Sequence, residues 1–128
     1  MPFRIYHTVA EAIEIHQLLI EEFGGFHGIR DQALLESAIF RPQSGYYNDL
    51  FEEAAALMES LSNNQAFLDG NKRISFVLAD VMLRANGYFL DVGPLEAHKF
   101  INDAIAKKEF RFSQIRDWIM AITKPLID

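Results

Sequence analysis

The sequence contains no cysteine, and several functional classes are excluded by that absence alone. Disulfide scaffolds, thiolate zinc sites and cysteine nucleophiles all need the missing side chain. The chain also lacks an apolar run of the ~18 residues that a membrane span needs. Its start, Met1 to Ile5, lacks the basic-then-apolar pattern of a signal peptide. From these absences we expect a soluble, cytoplasmic protein that does not enter a membrane.

Positive charge is also scarce, because 12 lysines and arginines stand against 18 acidic residues and the formal charge is −6. A broad basic face for nucleic acid is therefore not expected, and any anion site must be local. Apolar residues, by contrast, make up 50% of the chain and include 11 phenylalanines. This composition favours one compact domain, residues 1–128, that folds without a disulfide or a structural metal.

Apolar residues recur at helical spacing along most of the chain, which predicts an all-α, mainly helical fold. The first helix follows a capping box at Thr8 and Glu11 and ends at Gly24. A further helix is expected to have one buried face, with Ala54, Leu57, Met58 and Leu61, and to expose Glu52, Glu53 and Glu59. The helix after it runs from Asn71 to a stop at Gly87, and its apolar character places it near the centre of the fold.

The last part of the chain is expected to hold two more helices. Residues Tyr88 to Val92 alternate for only a few positions, which predicts one short extended piece. Pro94 then opens a helix, and Ser113 is expected to cap the last helix, which Pro125 ends.

The stretch Gln65-Ala66-Phe67-Leu68-Asp69-Gly70-Asn71-Lys72-Arg73 differs in composition from the helices on either side. Asp69 and Gly70 form a turn pair that leads into a helix N-terminus, where free backbone N–H groups and the helix dipole favour an anion. Lys72 and Arg73 oppose that dipole at a cost of roughly a few tenths of a kcal/mol each, which a bound anion would offset. Asp69 could hold Mg²⁺ beside phosphates, since a hard cation takes carboxylate oxygen.

The same stretch also has a purely structural interpretation, which the spacing leaves open. Asp69 would then cap the helix, Gly70 would make the turn, and the two cations would point into water. In either case the apolar pair Phe67 and Leu68 is expected to anchor the loop in the core. A Walker phosphate loop is excluded, because the glycines and the trailing Ser or Thr of that motif are missing.

These residues resemble the signature of the Fic/Doc family, H-x-F-x-D/N-G/A-N-K/G-R, at every position except the first. The matching residues are Phe67, Asp69, Gly70, Asn71, Lys72 and Arg73. Lys72 in place of a glycine is similar to the Doc branch, the toxin half of a toxin–antitoxin pair. Further stretches that resemble Doc sequences are residues 24–25, 28–31, 34–38 and 84–88.

The resemblance implies a Fic/Doc-type helical bundle that binds ATP and Mg²⁺ at this loop. It assigns the metal to Asp69, backbone N–H groups for the phosphates to Gly70 and Asn71, and neutralising charge to Lys72 and Arg73. The implied Doc activity is transfer of the γ-phosphate of ATP to a threonine hydroxyl of elongation factor Tu, which blocks translation. Most Fic relatives instead transfer AMP to a hydroxyl. A Phd-like antitoxin would suppress the activity by docking a helix on the toxin.

Gln65 departs from the family signature, in which the first position is the catalytic histidine that takes the proton from the attacking hydroxyl. A carboxamide accepts a hydrogen bond but is not a useful base at physiological pH, whereas imidazole titrates near neutrality. General-base catalysis is typically worth ~10²–10⁴-fold, so we expect impaired transfer and intact phosphate binding. Two alternatives stay open: a non-catalytic protein that binds nucleotide or antitoxin, and an AMP transferase.

The other histidines offer no clear substitute for the missing base. His16 falls on the apolar face of the first helix, which is typical of a core histidine. His27, in the glycine-rich turn, could reach a site, although a role in stabilising the loop is favoured. His7 and His98 show no metal-ligand spacing.

Overall fold

The computed structural model describes residues 4–127, which form six α-helices and a two-stranded sheet. The helices are α1 (Val9–Phe23), α2 (Gln32–Phe40), α3 (Leu50–Asn64), α4 (Asn71–Ala85), α5 (Pro94–Ala106) and α6 (Phe112–Ile122), and a 3₁₀ turn (Arg41–Gln43) follows α2. The strands are β1 (Tyr88–Leu90) and β2 (Thr123–Pro125). The prediction of a mainly helical fold is confirmed. None of these helices is long and apolar enough to cross a membrane.

Local signals set the ends of several helices as expected. Thr8 Oγ1 accepts the backbone N–H of Glu11 (3.1 Å), and Glu11 Oε1 accepts the backbone N–H of Thr8 (3.0 Å), which completes the capping box of α1. Gly24 then ends α1, and Gly87, with φ +95°, follows α4. These ends depend on contacts within one turn of chain, which the sequence displays directly.

Two helices, α3 and α4, form the centre of the fold together. α3 packs against α2, α4, α6 and the 3₁₀ turn, while α4 packs against α1, α3 and β1. Because α3 has neighbours on several sides, the expectation that its glutamates lie in solvent was wrong. Glu53 is only 7% exposed. Glu59 is half-buried, since its carboxylate accepts from Arg41 Nη1 (2.8 Å) and from the backbone N–H of Phe112 (2.6 Å).

The end of the chain departs from expectation in two places. Ser113 is not the cap of the last helix, because α6 already begins at Phe112, where the carboxylate of Glu59 on α3 accepts the first backbone N–H. The second departure is a strand that periodicity did not reveal. β2 pairs antiparallel with β1, with Phe89 opposite Lys124. Because β1 follows α4 and β2 follows α6, this pairing brings the ends of the two helices together.

Two segments meet at the start of α4. The motif loop, residues 65–70, connects α3 to α4, and the brace, residues 24–31, lies between α1 and α2. Ile29 of the brace and Phe67 of the motif loop form an isolated antiparallel bridge. The sequence motif is therefore held between two central helices and a second loop that is distant in sequence.

Candidate functional site

The motif loop starts with a strained residue. Gln65 follows α3 with φ 52° and ψ 52°, the left-handed region, which costs most L-residues roughly 1–2 kcal/mol. Arg30 of the brace holds this turn, because its Nε donates to the Gln65 carbonyl (2.6 Å) and its Nη2 to the Asn64 carbonyl (2.8 Å). The Gln65 side chain itself is exposed. The backbone of the turn is thus fixed by Arg30 and does not depend on the side chain at position 65.

Removing the Arg30 guanidinium should release this turn. We expect Arg30→Met to lower the free energy of unfolding by about 1–3 kcal/mol, because two carbonyls at the end of α3 lose a charged donor. Urea titration measures the change. Arg116→Met is the matched control. Arg116 forms its ion pair with the neighbouring, exposed Asp117 and lies over the ring of Phe112 (5.9 Å) on the same helix, so we expect this variant to stay within about 0.5 kcal/mol of the parent. Equal stability of the two variants would contradict a role for Arg30 in holding the loop.

Backbone pairing fixes the rest of the motif loop against the brace. The bonds are Arg30 N–H and Asp31 N–H to the Ala66 carbonyl (2.7 and 3.0 Å) and Leu68 N–H to the Gly28 carbonyl (3.0 Å). Phe67 is buried, at 1% exposure, so its expected role as an anchor is confirmed. Leu68 is 59% exposed, so the same expectation was wrong for it, because side chains alternate along extended backbone.

Gly28 lies in close contact with the side chain of the exposed Leu68. A Cβ built on Gly28 would stand 2.9 Å from Leu68 Cδ1, and the φ of Gly28 is +122°. Both observations require glycine at this position. The close approach explains how the brace and the motif loop can pair although neither belongs to a longer sheet.

Asp69 does not cap α4, so the structural interpretation of the motif was wrong at this residue. The N-cap is Gly70, in the left-handed region, and no side chain caps the helix. The Asp69 carboxylate instead accepts the N–H of Gly70 on Oδ1 (2.9 Å) and the N–H of Phe26, in the brace, on Oδ2 (3.2 Å). Each oxygen keeps a free lone pair, so the carboxylate is fixed in place and can still contact a cation.

The N-terminus of α4 is open to a ligand. The first backbone bond of the helix runs from Ile74 N–H to the Gly70 carbonyl (2.9 Å), and the N–H groups of residues 71–73 precede it. An α-helix provides no acceptor for these groups. With the positive end of the helix dipole behind them, they form the setting that binds anions at helix N-termini.

Asn71 closes the motif loop from inside. Its Oδ1 accepts the N–H of Phe67 (3.1 Å), and its Nδ2 donates to the Phe67 carbonyl (3.0 Å). One side chain thus satisfies both backbone groups of a buried residue. The amide leaves the Asn71 backbone N–H in place at the open end of α4.

Neither cation of the motif simply points into water, although both are exposed. Lys72 Nζ donates to Asn102 Oδ1 on α5 (2.8 Å). The guanidinium of Arg73 stacks over the ring of Phe23 at the end of α1, 4.5 Å from its centre. The two positive charges are therefore directed by residues on two other helices, beside the open N–H groups of α4.

His16 is a residue of the site that sequence reasoning missed. Its burial in the core is confirmed, at 2% exposure, but its partners belong to the motif. The imidazole stacks on Phe67 with ring centres 3.8 Å apart, and Nε2–H donates to the Asp69 carbonyl (2.7 Å). These contacts join residues 53 positions apart, so no local pattern signals them.

The stability of the protein should depend on pH through His16. Burial lowers the pKa of His16 below its ordinary value, although the hydrogen bond to the Asp69 carbonyl opposes the shift. Because an unfolded histidine takes up its proton near pH ~6.5 and the folded one only at lower pH, the unfolded state binds more protons in between. This contribution to stability is therefore complete above about pH 6.5 and is lost as the pH falls below it.

Urea titrations at pH 7.5 and 5.5 measure this loss. His16→Phe, which keeps an aromatic ring against Phe67 but cannot be protonated, should lose less stability between the two pH values than the parent. An identical loss in both proteins would show that His16 does not contribute to the pH dependence.

The other histidines do not converge on the motif loop as a metal site. Between residues 4 and 127, no group of three or more His, Asp or Glu side chains is placed to hold a metal ion. His27 is exposed in the brace, and His7 is buried near α1.

The motif loop, Lys72 and Arg73 all lie in a part of the chain that matches a known protein family. The sequence model of the Fic/DOC family matches residues 6–83, which include α1 to α3, the motif loop and most of α4. The chain belongs to the Fic/DOC family.

Two curated relatives place the chain in the Doc branch of that family. It is 43% identical over 70 residues to a protein named Toxin Doc from Mycolicibacterium smegmatis (strain ATCC 700084 / mc(2)155), a match that covers 51% of this chain and 54% of the relative. It is 33% identical over 81 residues to Protein kinase doc of Escherichia phage P1, which covers 60% of this chain and 64% of the relative. The matches thus span between about half and two thirds of these relatives.

Proposed function

We propose that this chain is a Doc-type toxin of a toxin–antitoxin pair, a protein built to transfer the γ-phosphate of ATP to a threonine hydroxyl of elongation factor Tu. The observation that carries the proposal is the open N-terminus of α4, which follows a motif loop that matches the family signature at every position but one. One relative is named a toxin and the other a protein kinase, which supports a toxin that transfers phosphate. Phosphorylation of that factor in the cytoplasm would block translation.

The phosphates of ATP would lie against the start of α4. Backbone N–H groups of Asn71 and its neighbours would donate to phosphate oxygens, and Lys72 and Arg73 would neutralise their charge. Phosphoryl transfer needs little covalent chemistry from a protein, so positioning and charge are the main contributions.

Asp69 fits the Mg²⁺ that the family implies. Its carboxylate is fixed by the N–H groups of Gly70 and Phe26 and keeps lone pairs for a cation. Mg²⁺ is commonly held by one or two carboxylates together with substrate phosphates and water, so a single aspartate is an adequate protein ligand. Bound there, the ion would neutralise part of the negative charge on the phosphate oxygens. The chain's own contribution is to hold the carboxylate in the loop.

Gln65 supports a second candidate, a Fic-fold protein that binds nucleotide or antitoxin without transferring phosphate. The carboxamide at this position cannot take a proton from an attacking hydroxyl at neutral pH. A Phd-like antitoxin that docks a helix would be a partner of either form. The two candidates share the phosphate site and differ in whether the chain, with Gln65 in place, transfers phosphate.

The test is a transfer reaction with ATP labelled separately at the α and γ positions, Mg²⁺ and purified elongation factor Tu. The parent chain and its Gln65→His variant are compared. We expect the γ label to appear on a threonine of the factor with the histidine variant and far less with the parent. Transfer of the α label would show that the protein is an AMP transferase. No transfer by either protein, with ATP still bound, would favour the binding protein.

A further inference from the structure

Lys72 of the motif is tied to a helix that lies outside the motif. Its Nζ donates to Asn102 Oδ1 (2.8 Å), and Asn102 Nδ2 lies 2.7 Å from Nε2 of His98, one turn earlier on α5. The three side chains form a hydrogen-bonded row from α5 to the first turn of α4. Both α5 residues lie beyond residues 6–83, the part that the family model covers.

The chemistry of these groups fixes the direction of every bond in the row. An ammonium only donates, so Asn102 must turn its Oδ1 toward Lys72. The amide nitrogen then faces His98 and donates to Nε2, which requires a neutral imidazole with its proton on Nδ1. His98 therefore holds Asn102 in the one orientation that can accept from Lys72.

This arrangement leaves Lys72 able to bind a further anion. An ammonium has three N–H donors, and Asn102 accepts one of them, so the others can reach phosphate oxygens. An exposed lysine otherwise samples many rotamers, and ordering it on a ligand costs side-chain entropy at the moment of binding. A lysine that Asn102 already holds has lost part of this entropy in the free protein, so less is lost when the ligand binds.

We propose that Asn102 is a positioning residue for the polyphosphate at the motif loop, that it acts by holding Lys72, and that His98 supports it by fixing the Asn102 amide. This inference rests on the proposed function, since it assumes that the ligand is ATP with Mg²⁺. It makes α5 part of the nucleotide site.

A double-mutant cycle tests the inference. Calorimetric titration with ATP and Mg²⁺ is carried out on the parent, Asn102→Leu, Lys72→Met and the double variant. We expect Asn102→Leu to weaken ATP binding by about 3- to 10-fold in the parent, which is the value of one ordinary hydrogen bond. In the Lys72→Met background the same change should alter affinity by less than about twofold, because the group that Asn102 holds is gone.

His98 variants supply a rescue test of the same row. His98→Leu removes the acceptor and should reproduce part of the loss seen with Asn102→Leu, whereas His98→Gln offers a carbonyl oxygen and should restore affinity. Without nucleotide, acetylation of Lys72 by acetic anhydride, followed by mass spectrometry, should be faster in Asn102→Leu than in the parent. A purely structural role for α5 would not produce a change confined to Lys72.

The outcomes separate this inference from the function on which it rests. Equal losses from Asn102→Leu in both backgrounds, or no loss in either, would overturn the inference while ATP binding by the parent stands. Absence of ATP binding by the parent would overturn the proposed function and the inference together.

Discussion

Replacing Gln65 with histidine is expected to raise the rate of phosphate transfer by about 10²–10⁴-fold, the usual contribution of a general base. The exchange should leave the loop intact, because Arg30 holds the backbone of this turn through the Gln65 and Asn64 carbonyls. Histidine is also among the residues enriched in the left-handed region, so φ 52° suits it. The imidazole would enter a site whose other motif residues are already present.

The gain can be measured as a single-turnover rate with γ-labelled ATP, and in cells as growth arrest when the variant is expressed. Gln114→His is the matched control, since it makes the same replacement at an exposed position of α6. We expect that control to behave as the parent. Inertness of both histidine variants would show that position 65 does not limit activity.

Replacing Asn71 with alanine is expected to lower the free energy of unfolding by about 2–4 kcal/mol, because both backbone groups of the buried Phe67 lose their partner. The release of Phe67 should also loosen its contact with His16. ATP affinity is expected to fall as well, since the loop would no longer present the start of α4 in one geometry. Urea titration and calorimetry measure the two effects.

Two further variants make this prediction specific. Asn48→Ala removes an exposed asparagine and should stay within about 0.5 kcal/mol of the parent. Asn71→Asp keeps the acceptor for Phe67 N–H but turns a carboxylate oxygen toward the Phe67 carbonyl, to which Asn71 donates, so it should not restore the stability that alanine loses. Its charge also repels phosphate, so it should impair ATP binding more than alanine does. If Asn71→Ala is as stable as Asn48→Ala, the proposed role of the side chain in closing the loop is wrong.

The parts of the fold that sequence reasoning predicted well are those with a local cause. The capping box of Thr8 and Glu11, the stop at Gly24 and the opening of α5 by Pro94 each depend on a few neighbouring residues. The placement of Lys72 and Arg73 at a helix start could be predicted for the same reason. Their conflict with the helix dipole is visible in the sequence.

The remaining parts depend on contacts between distant segments. Glu53 looks like an exposed residue until α3 is placed among its neighbours, and Ser113 looks like a cap until Glu59 is found at the start of α6. His16 lies 53 residues from Asp69, and Lys72 lies 30 residues from Asn102. The sequence therefore predicted which residues form the motif, and the structure was needed to show what holds them.

Binding of ATP to the unaltered chain tests the central claim most directly. Calorimetric titration of the parent with ATP and Mg²⁺, and with adenosine, is compared with titration of a Lys72→Met, Arg73→Met double variant. We predict binding of ATP that is far tighter than that of adenosine and that weakens more than about tenfold in the double variant, since two charged donors to phosphate are lost. No binding of ATP, or affinity that is the same for adenosine and unchanged in the double variant, would contradict the account.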